Sequence, residues 1–175
     1  MSITDEVLRA NQEYAASFDP GATILRPNCK LAVLACMDSR LTVEQILGLK
    51  IGEAHIIRNA GGIATGDALR SLIISHHLLG TQEFIVINHT DCGMLTFKDQ
   101  DLLHTLEEKT GRAAVAPTHF HAFTDLETNV RQQVARINSH PYLQLVPVRG
   151  FVYDVKTGKL NEVTGVDQRA TPQNV

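Results

Sequence analysis

Leu31-Ala32-Val33-Leu34-Ala35-Cys36-Met37-Asp38-Ser39-Arg40 is the stretch on which the fold turns. Leu31 to Met37 is the longest unbroken apolar run of the chain, seven residues against the ~20 that a membrane helix needs. A short uninterrupted run reads as a strand buried on both faces, and Glu83 to Asn88 repeats the pattern. Ala54 to Arg58 predicts a further strand, closed by the turn-prone Asn59-Ala60-Gly61-Gly62. Helices are expected at 3–18 (ended by Asp19-Pro20-Gly21), at 42–49, and from an N-cap at Thr65 to about Leu79. Two more are expected at 102–109 and from an N-cap at Thr124 to Ser139. A last strand, Val146 to Val155, returns through a turn near Leu160–Val163. Strands alternating with helices at this spacing predict one α/β domain over 1–175: a mostly parallel central sheet flanked by helices, with a terminal antiparallel hairpin. Residues 1–20 form an N-terminal helical arm in this reading, mostly polar and on the surface or against a partner. Residues 164–175 form a polar tail.

Composition narrows the functional classes. Hydrophobic residues are 43% and charged residues 20% of the 175, ordinary globular usage rather than disorder. Sixteen Lys and Arg against nineteen Asp and Glu leave a net charge of −3, with no basic footprint for nucleic acid or an anionic membrane. Acidic Asp5 and Glu6, with no apolar stretch behind them, argue against a secretory leader, so the expected location is cytoplasmic. Three cysteines (Cys29, Cys36 and Cys92) without a framework spacing point to metal or reactivity rather than disulfides.

The chemistry collects after two strands. Cys36-Met37-Asp38-Ser39-Arg40 follows the first, and His89-Thr90-Asp91-Cys92-Gly93 follows the third. Ligands of open parallel sheets bind outside the carboxyl ends of strands, so neighbouring strands would join both clusters in one crevice. Cys36, His89 and Cys92 are a donor set suited to zinc, and three ligands leave a catalytic metal one open position. Free N–H groups at a helix start are expected to stabilise the Cys92 thiolate. Alternation along an extended segment would point residues 36, 38 and 40 the same way. Arg40 would then pair with Asp38 and lower its pKa. Asp38 has two mutually exclusive uses, accepting the proton of a zinc-bound water or closing the metal as fourth ligand.

Cys-x-Asp-x-Arg, the Arg58-Asn59-Ala60-Gly61 turn and His-Thr-Asp-Cys-Gly together resemble the β-class carbonic anhydrases, most nearly the compact branch of archaea and mycobacteria. The resemblance runs from the N-terminal helix to the final hairpin. It implies a zinc enzyme, one Zn2+ per subunit, that hydrates carbon dioxide reversibly to bicarbonate and a proton by attack of zinc-bound hydroxide. It also implies a homodimer or a dimer of dimers. Carried over by position, Cys36, His89 and Cys92 are the zinc ligands, Asp38 and Arg40 the catalytic dyad, and Ala60, Gly61 and Gly93 the substrate pocket. A regulatory bicarbonate site built from Trp, Arg and Tyr in some bacterial members is not expected. Arg58 matches its arginine, but the chain has no Trp and Ile74 stands where Tyr would be required. Two thiolates and an imidazole neutralise zinc, so its water should ionise above the ~7 of three-histidine sites, predicting alkaline-shifted activity.

Competing readings are a CS2 or COS hydrolase on the same scaffold and a non-catalytic structural zinc closed by Asp38. A redox thiol enzyme lacks Cys-x-x-Cys, and a dinucleotide fold lacks Gly-x-Gly-x-x-Gly after the first strand. Asp91 reads as a cap for the following helix, and Arg58 as an interface or strand-end residue. Cys29 reads as a bystander. Among the remaining histidines, His119 and His121 flanking Phe120 are the least ordinary candidates for a proton shuttle.

Overall fold

The Leu31 run is β1 (Leu31–Cys36) of a five-stranded sheet in the computed structural model, which describes residues 2–19 and 25–165. Strand order is β2 (Ala54–Asn59), β1, β3 (Glu83–His89), β4 (Val148–Tyr153), β5 (Leu160–Glu162). The first four are mutually parallel and β5 is antiparallel to β4. Central β1 is buried along nearly its whole length, which is why it shows no polar alternation. Edge strand β2 is only partly buried.

Helices cover both faces unequally. On one, Ala32, Leu34, Phe84 and Val86 pack with Ala68, Leu69 and Leu72 of α3 (Gly66–His77) and with Val130, Val134 and Ile137 of α5 (Leu126–Ser139). Gly150 of β4 lets α5 come this close, because a Cβ there would collide with Val130 and Val134. On the other face, Val33, Ala35 and Ile87 pack with Leu41, Val43 of the short α2 (Val43–Leu47), and Met94. Helix α1 (Ile3–Ala16) carries a full Ser2/Asp5 capping box and buries no residue.

Some boundaries depart from the sequence reading. Helix α4 (Asp99–Thr110) starts three residues early, because Asp99 and Asp101 sit in its first turn, where carboxylates suit the helix dipole. Asp125, not Thr124, caps α5, its carboxylate accepting from Thr128 N at 2.8 Å. Thr65 does cap α3, accepting from Ala68 N, although α3 ends at His77. The fourth strand is shorter than Val146–Val155: Val146 N bonds Leu143 O in a turn, and Asp154 N turns back to Lys159 O. Pro20 and Gly21 of the expected breaker, and residues 166–175 of the expected tail, lie outside the described residues.

Candidate metal centre

Strands β1 and β3 are paired neighbours, so their carboxyl ends do meet. Cys36 is the last residue of β1 and His89 the last of β3. Cys92 follows at the start of a 3-10 turn, Gly93–Leu95. The three side chains are buried, and their donor atoms all lie within 4.8 Å of one another. His89 is fully buried, with Nδ1 2.9 Å from the Thr90 carbonyl oxygen. A carbonyl only accepts, so the proton sits on Nδ1 and the lone pair on Nε2. That Nε2 has no hydrogen-bond partner among the described residues. A buried lone pair facing two sulfurs fits a metal ion, since nothing else there satisfies it.

The sulfurs of Cys36 and Cys92 are 4.0 Å apart. At that distance one sulfur hydrogen-bonds the other, so the two thiols titrate as a pair. The hydrogen bond with Cys92 lowers the Cys36 thiol, burial opposes this, and the N–H groups of Asp38 and Gly61 add to the lowering. The ionised Cys36 then pushes the Cys92 thiol up, and the single N–H from Met94 is too little to offset it. A turn this short has hardly any dipole to lend.

Asp38 and Arg40 meet, though not by strand alternation. The extended backbone stops at Cys36, and the chain turns so that Leu41 N bonds Asp38 O at 3.0 Å. Asp38 Oδ1 accepts from Arg40 N and Nε, both at 2.9 Å, and Oδ2 accepts from Nη2 at 2.9 Å. This bidentate fork holds the Asp38 carboxyl well below the usual carboxylate range. Its Oδ2 lies 3.7 Å from His89 Nε2, beside the donor cluster.

Three further residues lock this arrangement. Asp91 caps nothing: its Oδ2 accepts from Arg40 Nη1 at 2.8 Å and its carbonyl from Nη2 at 2.9 Å. Arg40 thus ties the two strand exits together, with Asp91 in the left-handed region at φ 57°. Arg58 donates to the carbonyls of Cys36 (3.1 Å) and Asp38 (2.6 Å), fixing the exit of β1 from the neighbouring strand. Asn59 staples the next turn, both amide atoms bonding the Ile63 backbone at 2.7 Å. Pairing across 51 residues leaves no local signal, which is why the Asp91 role was missed.

Of the expected pocket residues, Ala60 packs with the cluster of Val33, Cys36 and Cys92. A Cβ on Gly61 would touch Met94 and Phe123, so these two apolar side chains line its flank. Gly93 is open, with nothing within 4 Å of an added Cβ. His121 is not at this centre. It lines a separate cleft of about 220 Å³ with Ile63, Asn129, Gln133 and Arg136. Cys29 is exposed and belongs to neither.

Comparison with known proteins follows the same residues. The sequence profile of carbonic anhydrase matches residues 31–160. Beta-carbonic anhydrase 1 of Mycobacterium tuberculosis is 48% identical over 166 residues, which cover 94% of this chain and 99% of that one. The crystal structure of carbonic anhydrase from Streptococcus mutans superposes with a TM-score of 0.88 at 41% identity, covering 93% and 98% of the two chains. A carbon disulfide hydrolase of Acidithiobacillus thiooxidans is more distant, 33% identical over 152 residues and 76% of each chain.

Proposed function

This chain belongs to the carbonic anhydrase family, in its β class, and on that premise we propose that it interconverts carbon dioxide and bicarbonate at the centre built on Cys36, His89 and Cys92. The observation that carries the reading is the unpartnered Nε2 of His89, buried beside two sulfurs and an arginine-held carboxylate. Those three side chains would hold one zinc ion. Bound there, zinc supplies Lewis acidity that makes a water nucleophilic near neutral pH.

The chain's own groups do the rest. His89 meets the metal as a neutral imidazole, because the Thr90 carbonyl keeps its proton on Nδ1. Asp38 accepts a hydrogen bond from the attacking water and so directs a lone pair toward carbon dioxide. Arg40 keeps that carboxylate ionised and aimed by occupying both its oxygens. While the fork is closed, Asp38 serves as acceptor rather than as fourth ligand. The substrate is apolar, and Ala60, Gly61 and Gly93 with the flanking Met94 and Phe123 offer it a surface that does not compete by hydrogen bonding.

Assembly as a homodimer or dimer of dimers is supported by α1, where Ile3, Val7, Leu8 and Tyr14 are 74, 58, 58 and 52% exposed along a helix that buries none of its residues. Among the described residues no helix is long and apolar enough to cross a membrane. Free cysteines and acidic charge suit the cytoplasm.

Stopped-flow carbon dioxide hydration by zinc-loaded protein, from about pH 6.5 to 9.5, tests the reading around a metal-water pKa near or above ~7. Turnover that rises with pH and disappears with the metal is expected. Absence of turnover at every pH, with sulfide released from carbon disulfide instead, would transfer the chain to the hydrolase branch.

A further inference from the structure

Behind the centre, on the helical side of the sheet, three buried amides join end to end. Gln133 Nε2 donates to Asn129 Oδ1 at 2.8 Å, Asn129 Nδ2 to Asn88 Oδ1 at 2.6 Å, and Asn88 Nδ2 to the Gly61 carbonyl at 2.8 Å. At the other end Gln133 Oε1 accepts from Ala64 N at 3.0 Å. All three side chains are at most 6% exposed. Each donor points the same way, and both ends of the chain finish on one segment, the turn from Gly61 to Ala64. That turn lies against the first metal-ligand candidate: a Cβ on Gly62 would stand 3.0 Å from Cys36 N and 2.8 Å from Asn88 Nδ2.

A hydrogen-bonded amide ring is excessive for a turn that Asn59 already staples. Burying three primary amides is costly unless every member is satisfied, and an apolar core would do the packing alone. What the ring adds is a fixed distance between the turn and Cys36. We infer that Asn88, Asn129 and Gln133 are positioning residues that clamp the Gly61–Ala64 turn against the Cys36 backbone and thereby hold the Cys36 sulfur where the metal needs it. The inference rests on Cys36 being a metal ligand. The three residues touch neither metal nor substrate. Loosening the clamp frees the turn, and with it the Cys36 sulfur, from the position the metal requires.

Cobalt(II)-substituted protein reports this directly through its thiolate-to-cobalt charge-transfer band. Gln133→Glu and Asn129→Asp keep the shape but set two acceptors head to head, opening the ring. Expected results are a shifted or weakened band, metal retention against a chelator weakened roughly 10–100-fold, and kcat lowered with KM unchanged. Val134→Ala, buried on the same helix but outside the ring, lowers the Tm and leaves the band in place. Should both acidic variants fail to fold, Gln133→Met, which only releases Ala64 N and Asn129 Oδ1, carries the test. A folded ring variant with the wild-type band and retention overturns the inference, as does a shift no larger than that of Val134→Ala. Wild-type protein that gives no thiolate-to-cobalt band overturns the metal centre itself, and the clamp with it.

Discussion

The two faces of the sheet are finished differently. Under α3 and α5, Ala32, Leu34, Phe84 and Val86 of the sheet pack into one buried cluster, and Phe84, Leu72, Val130, Val134 and Ile137 are essentially inaccessible. The opposite face is closed by the five-residue α2 and by side chains that stay partly exposed, Ile46, Leu95, Phe97 and Phe123 among them. Its buried centre is smaller (Val33, Ala35, Leu41, Val43 and Ile87), and Cys36, His89 and Cys92 sit against it. Stability is concentrated on the helical face and chemistry on the other, so substitutions should separate the two properties.

The largest separation is expected from Cys36→Ser. Zinc content and carbon dioxide hydration should fall to background, while the Tm matches that of metal-stripped wild type. Metal analysis and calorimetry check both, and a Tm well below the stripped protein would break the division. Leu72→Ala is the mirror experiment. Removing a side chain with 0% exposure leaves a cavity and should cost about 2–5 kcal/mol by chemical denaturation, with zinc retained at wild-type stoichiometry.

Arg40→Ala releases both Asp38 and Asp91, and kcat should drop roughly 10–100-fold while the Tm barely moves, since the guanidinium is 43% exposed. Arg40→Lys should recover little, because an ammonium cannot make the bidentate fork.

A smaller, pH-dependent effect sharpens the comparison at the lid of the weaker face. Asp99 is desolvated, which opposes its ionisation, but the N–H groups of Ala122, Phe120 and His121 outweigh this and lower its pKa. A depressed carboxylate stabilises fully above its unfolded value of ~3.9 and loses that contribution as pH falls through the folded value. Asp99→Ala should therefore lower stability by about 1–2 kcal/mol at neutral pH and by progressively less below pH ~4, read from urea midpoints. At the bottom of the scale, Arg149→Ala removes an exposed pair with Glu162 on the outer hairpin and should leave the Tm unmoved.

The sequence was most legible where its signals are local. Leu31–Cys36 and Glu83–His89 announce themselves as strands because residues buried on both faces have no polar alternation. Gly111 stops α4 as read, because the left-handed backbone suits a residue without a Cβ, whereas Gly48 ends α2 inside the expected 42–49 helix. Helix α4 was legible only in part, since its acidic first turn resembles loop composition.

By itself, then, the sequence determined the α/β alternation, the placing of Cys36, Asp38, Arg40, His89 and Cys92 after two strands, and the donor chemistry that suits zinc. These depend on short spacings and residue type. Tertiary structure alone decided the Asp91 grip on Arg40, the meeting of the Cys36 and Cys92 sulfurs, and the amide ring from Gln133 to Gly61. Each of those depends on atoms brought within 4 Å across tens of residues. Such proximity comes from strand order and helix docking, and linear spacing does not encode it.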